Sequence, residues 1–301
     1  MNDGPILEMA IAKISFLKGW EKIALLEKHL SEGEFSACSF QQLQELVGRT
    51  VPVDGSRWNP MVFLEEAYTD AKAALRHGIQ MVPYGEPSYP PLLRELSDPP
   101  LVLYYRGTLP DPEVPMISIV GTRLPSGAGR AQAYQLGYEF GLAGIPVVSG
   151  LARGIDSMAH RGNVEGRGRT VAVLGCGVDT VYPHSNRALA GRILETGGCI
   201  MSEYPPGTPP YKWNFPLRNR IIAALGRSLI VVEAGERSGA LISAQFALDA
   251  GRDVYVGSVC QHSVYGQGGR NLYEQGAAFV DHADNILKEW KAVRSSPMRS
   301  E

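Results

Sequence analysis

The sequence predicts an α/β fold: a mostly parallel sheet with helices on both faces, preceded by a small helical domain. Three observations predict it. From Met116 onward, short continuous apolar runs alternate with glycine turns and amphipathic stretches, the pattern of strands buried on both faces and joined by crossover helices. Before residue 80, apolar residues recur at helical spacing. The 301 residues include 34 glycines and 21 prolines, more than a helical bundle uses and suited to many tight strand-to-helix turns.

Taken in chain order, residues 6–30 (ILEMAIAKISFLKGWEKIALLEKHL) read as helical, with a break at Gly19. SFQQLQELV (39–47) opens with Ser and carries Gln three positions later, a capping-box pattern. MVFLEEAYTDAKAALRHG (61–78) is an amphipathic helix ended by Gly78. YGEPSYPPLLRELSDPP is proline-punctuated and cannot be one helix, and LVLYYRG after it is a short strand. Expected strands then follow at 117–121, 146–150, 170–175, 199–204, 228–234 and 253–259. Expected helices lie between them, at 127–144, 155–166, 185–198, 219–226 and 242–251. Right-handed crossovers turn this alternation into an extended, Rossmann-like open sheet. The expected domains are a helical one at 1–80, a proline-rich connector with a leading strand at 81–115, the Rossmann-like domain at 116–290 and a disordered tail at 291–301.

Hydrophobic residues make up 44% and charged residues 20% of the chain, and the formal net charge is −2. A global electrostatic grip on a polyanion is therefore not offered, so any nucleic-acid site must be a local patch. Cys38, Cys176, Cys199 and Cys260 stand far apart with no Cys or His at zinc spacing, so neither a metal site nor a cofactor is expected and the cysteines read as core residues of a reducing compartment. No basic leader precedes an apolar run, and no apolar run approaches the ~18 residues of a membrane span. The expected location is the cytoplasm, with no membrane partner.

In such sheets ligands meet the carboxyl ends of the strands, so the turns after the strands carry the candidate sites. In IVGTRLPSGAGR, Gly121 allows a sharp turn, and free N–H groups at Ser126–Gly129 flanked by Arg123 and Arg130 form a possible phosphate cradle; a plain tight turn with surface arginines is the other reading. In VVSGLARGID, Ser149 and Gly150 end a strand, Arg153 projects from the loop, and Asp156 stands four residues before His160. That pair reads as structural hydrogen bonding, with a metal or acid/base role as the lesser reading. Gly175 and Gly177 resemble the start of a dinucleotide fingerprint, but the third glycine is missing, so a tight turn into the Tyr182-Pro183 loop is expected. In VVEAGERSGALIS, Ser238 and Gly239 open a helix, either to hold an anion or to cap it. Gly266–Ala277 reads as a flexible loop from which Asn271 bonds to a neighbouring loop.

The richest segment is Pro205–Ala234. Lys212, Trp213, Phe215, Arg218 and Arg220 crowd in front of a helix and a buried strand. Cations for phosphate and rings for stacking are what an unpaired polynucleotide needs. Arg218 and Arg220 near a helix start oppose the macrodipole, a local violation expected where an anion binds; pairing with Glu203 or Glu233 inside the fold is the alternative. Trp213 reads either as a stacking ring or as a core plug. Asp156, Glu203 and Glu233 are the only candidates for catalysis, and none has an obvious partner.

SGLARGIDSMAH, TVAVLGCGVDTVYP, MSEYPPGTPP, NFPLRNRIIAAL, VVEAGERSGALISAQFALDAGRDV and GGRNLYEQGA closely resemble the DNA-processing protein A (DprA/Smf) family, in order over about residues 80–280. The resemblance implies an extended Rossmann fold after a sterile-alpha-motif-like helical domain, and a single-stranded-DNA-binding recombination mediator. Such a protein protects incoming DNA in natural transformation, loads the RecA recombinase onto it and works as a homodimer. It implies a DNA pocket formed by Arg123, Lys212 and Phe215 and lined by Arg218 and Arg220. The strand-end turns and the segment around them add Asn219, Gly121, Ser149, Gly150, Arg153, Ser238 and Gly239 to the expected single-stranded-DNA site. The resemblance also places the dimer contact near Leu241–Val256. Two departures stand out. Val256 occupies the place of the family's usual proline after the last strand, and the sequence ends at Glu301 without the winged helix that many members carry. The rival reading is a nucleotide-processing enzyme of the phosphoribohydrolase type, whose PGGxGTxxE helix start is here AGERSGALIS, with no acid in the first helical turn.

Overall fold

The computed structural model describes residues 5–295. By internal contacts the chain divides into two compact units: residues 1–106 with 175–180 and 201–211, and residues 107–174 with 181–200 and 212–301.

In the first unit five helices, α1 (Ile6–Ala12), α2 (Gly19–Leu26), α3 (Glu32–Ala37), α4 (Phe40–Val47) and α5 (Pro60–Arg76), enclose Ile6, Met9, Ile14, Leu25, Phe35, Leu43 and Leu64. The capping box at Ser39 forms as expected: Ser39 Oγ accepts from Gln42 N at 3.2 Å, and Gln42 Oε1 accepts from Ser39 N at 2.8 Å. The run 6–30 is interrupted over residues 13–18, and Gly19 starts α2; a Cβ there would fall 2.5 Å from Asp98 Cα, so close approach is what requires glycine. Residues 80–83 form a strand, β1 (Gln80–Pro83), antiparallel to β2 (Val102–Gly107), with Met81 opposite Tyr104. The strand straddles the boundary expected at residue 80 and lies mostly in the connector, where no strand is expected at 80–83 because four residues show no usable alternation.

The second unit holds the parallel core. Its strands β3 (Ile117–Val120), β4 (Val147–Ser149), β5 (Val171–Val173), β7 (Ser228–Val231), β8 (Asp253–Gly257) and β9 (Ala278–Val280) alternate with α6 (Gly127–Leu142), α7 (Ile155–Glu165), α8 (Arg187–Glu195), α9 (Asn214–Leu225), α10 (Gly239–Asp249), α11 (Gln267–Glu274) and α12 (Ala283–Ser295). With β6 (Cys199–Ser202), the strand order is β1-β2-β6-β5-β4-β3-β7-β8-β9. β3 pairs in parallel with β4 on one side (Ile117 to Val147) and with β7 on the other (Ile117 to Ser228). The direction of winding therefore reverses between β3 and β7, the place where open α/β sheets bind ligands.

Period-two alternation sorts β3 between the two faces. Ile117 and Ile119 pack with Leu136, Phe140 and Ala159 of α6 and α7 and with Ile286 and Trp290 of α12. Ser118, between them, donates to Ile222 O of α9 at 2.6 Å. Helices thus cover both faces, as the sequence predicts. α6 and α7 cross on glycines: a Cβ on Gly141 would lie 2.6 Å from Asn163 O, and Gly137, Gly162 and Gly166 are equally tight against the opposite backbone.

Two expectations are corrected. Gly266–Ala277 contains helix α11, because Gly268 and Gly269 fit directly against Ala234 and Cys260: Gly268 N donates to Ala234 O at 2.8 Å, and side chains there would collide. Asn271 accepts from Gln267 at 2.8 Å within that helix and not from another loop. Of the tail expected to be disordered, residues 291–295 lie in α12 and 296–301 fall outside the described residues.

Candidate nucleic-acid interface

The carboxyl ends of β3, β4 and β5 and the start of α9 form a layered site, with a buried bracing layer and an exposed binding layer. The bracing layer centres on Arg218, which is 4% exposed. Its guanidinium donates to Gly150 O at 3.1 Å and to Val173 O, so it ties α9 to the ends of β4 and β5. Asp156 faces it from α7 and accepts from the backbone N–H groups of Gly150 (3.1 Å) and Ala152 (3.3 Å). Burial raises the Asp156 carboxyl above the usual aspartate range, opposed by the Arg218 charge and the two N–H donors. Gly150 is required here, since a Cβ would fall 2.6 Å from Arg218 Nη2 and 2.8 Å from Asp156 Oδ2.

Two more residues expected at the DNA surface belong to this brace. Ser149 is fully buried and donates to Ile119 O at 2.6 Å. Gly121 packs against Ile155 and Glu233 O, with no room for a side chain. Arg218 is buried, and Asp156 is a carboxylate that faces it. An i, i+3 step puts Phe215 one turn before Arg218 on the same side of α9, so burying the arginine fixes the ring.

The phosphate cradle expected at Ser126–Gly129 is filled from within. Glu233, fully buried at the end of β7, accepts from Ser126 N at 2.8 Å and from the Ser263 hydroxyl, while Ser126 Oγ takes Gly129 N at 2.9 Å. The helix N-terminus already has its anion. Asp156 and His160 do not act on each other either. His160 is buried with Nδ1 2.7 Å from Thr170 Oγ1, and that hydroxyl donates onward to Val147 O, so the ring donates to it. Burial, with the Arg218 charge, pushes the imidazole pKa down to about 3. Among the described residues no group of three or more His, Cys, Asp or Glu is placed to hold a metal. No helix of the described residues is long and apolar enough to cross a membrane.

The binding layer lies above the brace. Arg123 is exposed, and its Cζ stands 5.9 Å from the centroid of the half-buried Phe215 ring, within cation–π range. Tyr182, 41% exposed, meets the same ring at 5.5 Å with an interplanar angle of 41°. Arg153 is exposed and donates to Ser185 Oγ at 3.3 Å. The segment carrying Tyr182 and Ser185 is pinned to the Arg153 loop, because Asn186 donates to Leu151 O at 2.8 Å and to Ala152 O at 3.2 Å. Lys212 is exposed just before α9. Trp213 is 64% exposed and so is not a core plug. Asn219 accepts from Arg218 and donates to Gly239 O at 3.4 Å, linking α9 to the start of α10, which Ser238 caps through Ala240 N. Arg220 is half-buried on α9.

The structure thus brings Arg123 and Phe215 together, joins Arg153 to their neighbour segment and places Lys212 three positions before the ring. Tyr182 was missed in the sequence. Its signal was a Tyr-Pro pair directly after a strand-end turn, passed over as turn chemistry.

The family model for DNA recombination-mediator protein A matches residues 80–291. Protein Smf of Synechocystis is 37% identical over 265 residues, covering 87% of this chain and 63% of its own length. DNA processing protein DprA of Streptococcus pneumoniae is 38% identical over 82% of this chain and 87% of its own. The solved structure of the pneumococcal protein superposes with a TM-score of 0.76 at 31% identity, covering 94% of this chain and 97% of that one. A structure describing the single-stranded DNA binding mode of DNA processing protein A from Helicobacter pylori superposes with a TM-score of 0.62 at 27% identity, over 71% and 96%. With the match spanning the whole parallel sheet and every turn of the site, this chain belongs to the DNA recombination-mediator protein A (DprA/Smf) family.

Proposed function

We propose that this protein binds single-stranded DNA at the ends of β3, β4 and β5 and acts there as a recombination mediator. The observation that carries the reading is the Arg123–Phe215–Tyr182 cluster, a cation and two rings on an exposed rim, with Lys212 and Arg153 close by in the chain or the fold. In a chain of net charge −2 this is a local patch of the composition that single strands require. Arg123, Arg153 and Lys212 hold phosphates, Phe215 stacks on a base, and Arg218, Asp156, Ser149, Gly150 and Gly121 hold the platform from below. Asn219, Ser238, Gly239 and Arg220 extend the site towards α10.

The family supports the wider role: protecting incoming DNA in transformation, loading RecA, and acting as a cytoplasmic homodimer through the α10–β8 region. The role is non-catalytic. Both oxygens of Glu233 are committed to Ser126 and Ser263, and Asp156 is committed to Arg218 and two backbone donors, which leaves neither carboxylate for the phosphoribohydrolase alternative.

Salt titration of binding to matched single- and double-stranded oligonucleotides tests the reading. Tighter binding of the single strand across the whole salt range is expected. Equal affinity for the duplex, or release of free base from a nucleoside monophosphate, would overturn it.

A further inference from the structure

We infer that Tyr182 is a second base-stacking ring, and that its tilt against Phe215 makes the platform select strands whose neighbouring bases are easily unstacked. The inference rests on the proposed single-strand site and adds a residue and a specificity to it.

The two rings differ in what they offer a ligand. Phe215 is half-buried, with Arg123 over its ring and Tyr182 against it. Tyr182 is the more open of the two, at 41% exposure. Its backbone is not a free loop. It leads directly into the 3-10 turn His184–Asn186, which Asn186 fastens to Leu151 and Ala152. On that turn Ser185, three residues after the ring, accepts from the exposed Arg153, so the segment that carries the ring also holds a cation. Single-strand sites combine anchored, exposed aromatics with cations that track the backbone.

The angle carries the specificity. Bases in a stacked strand lie parallel at about 3.4 Å per nucleotide. The centroids of Tyr182 and Phe215 are 5.5 Å apart, too close to admit a base between them, and their planes diverge by 41°. One base on each ring therefore cannot remain parallel to its neighbour. Binding must break one base–base stack, at a cost that is largest for adjacent purines and smallest for adjacent thymines, and preferences of this kind arise from stacking strength.

The test uses the full chain, fluorescence anisotropy with dT20 and dA20, and dT20 carrying two adjacent 2-aminopurines. Wild type is expected to bind dT20 several-fold tighter than dA20 and to brighten the 2-aminopurine pair as its mutual stacking is lost. Tyr182→Ala and Tyr182→Leu should weaken dT20 binding on the order of 10-fold, with the salt slope unchanged and the dT/dA ratio moving towards one. Tyr182→Phe should restore both. Tyr182→Leu keeps an apolar group against Phe215, so it separates stacking from simple packing if the alanine variant is unstable. Wild-type dT20 affinity in Tyr182→Leu, or equal affinity of wild type for dT20 and dA20, overturns the inference. A wild type that does not prefer single strands to duplex is a different failure, that of the binding reading itself.

Discussion

Replacing Arg218 by methionine separates the two layers of the site. The side chain keeps most of its aliphatic length and loses the guanidinium. In the native structure that group meets Gly150 O at 3.1 Å, Val173 O and the Asp156 carboxylate, at 4% exposure. Breaking one member of a buried pair costs about 3–5 kcal/mol, because the other charge is left uncompensated. Asp156 keeps its two backbone donors and can take up a proton, which places the loss near the lower end, about 3 kcal/mol. The pH dependence has a definite sign. The folded Asp156 carboxyl titrates above its ordinary value, and without Arg218 it rises further. Its ionisation then opposes folding as pH rises, so the deficit of Arg218→Met should be greatest at neutral pH and shrink on acidification towards pH ~4. Urea unfolding at several pH values measures this, and Asp156→Asn with Arg218→Met should recover part of the loss through a coupling term. A variant as stable as wild type whose single-strand binding shows a flatter salt dependence would refute the reasoning, because the guanidinium would then be on phosphate and not on the brace.

Lys212→Ala should leave stability within about 0.5 kcal/mol and lower the slope of log K against log salt by about 0.7 on single strands; an unchanged slope removes Lys212 from the phosphate path. Phe215→Ala should weaken binding by about 1–3 kcal/mol with the slope kept, read in the same titration. Gly162→Ala drives a Cβ against Tyr134 O and to 2.8 Å from Tyr138 N. It should destabilise by at least ~2 kcal/mol through separation of α6 from α7, and wild-type unfolding behaviour would contradict that crossing. The His160 ring, held near pKa 3, should show no titration by NMR between pH 5 and 8. Because its folded pKa is depressed, its contribution is complete above pH ~6.5 and is lost as pH falls towards 3, at up to ~1.4 kcal/mol per unit.

The alternating strands and helices from Met116 were legible because each is a local pattern: ISIV, VVS and SLIV are short apolar runs with a single serine each, and each glycine turn follows its strand. The exposed residues of the site were legible for a related reason. Lys212 and Phe215 follow the proline-rich PPGTPP stretch and lie before the helix expected from Asn219, so a cation and a ring there already needed explaining; α9 in fact starts at Asn214 and carries Phe215 in its first turn. What stayed hidden is set by partners distant in sequence. Nothing near Ser126 says that its N–H is taken by Glu233, 107 positions away, so an occupied helix N-terminus reads in sequence like an open one. Arg218 and Arg123 both read in sequence as cations near a helix start, yet one is buried on β4 and β5 and the other lies open on Phe215. The same physics links the two cases. A buried cation is tolerated where a carboxylate and carbonyls from other strands converge on it, and that convergence is a property of the sheet order. On the proposed single-strand reading, Arg218 would serve nucleic acid at one remove: by facing Asp156 and tying α9 to β4 and β5, it would hold the Phe215 ring still and lower the ordering cost of stacking a base on it.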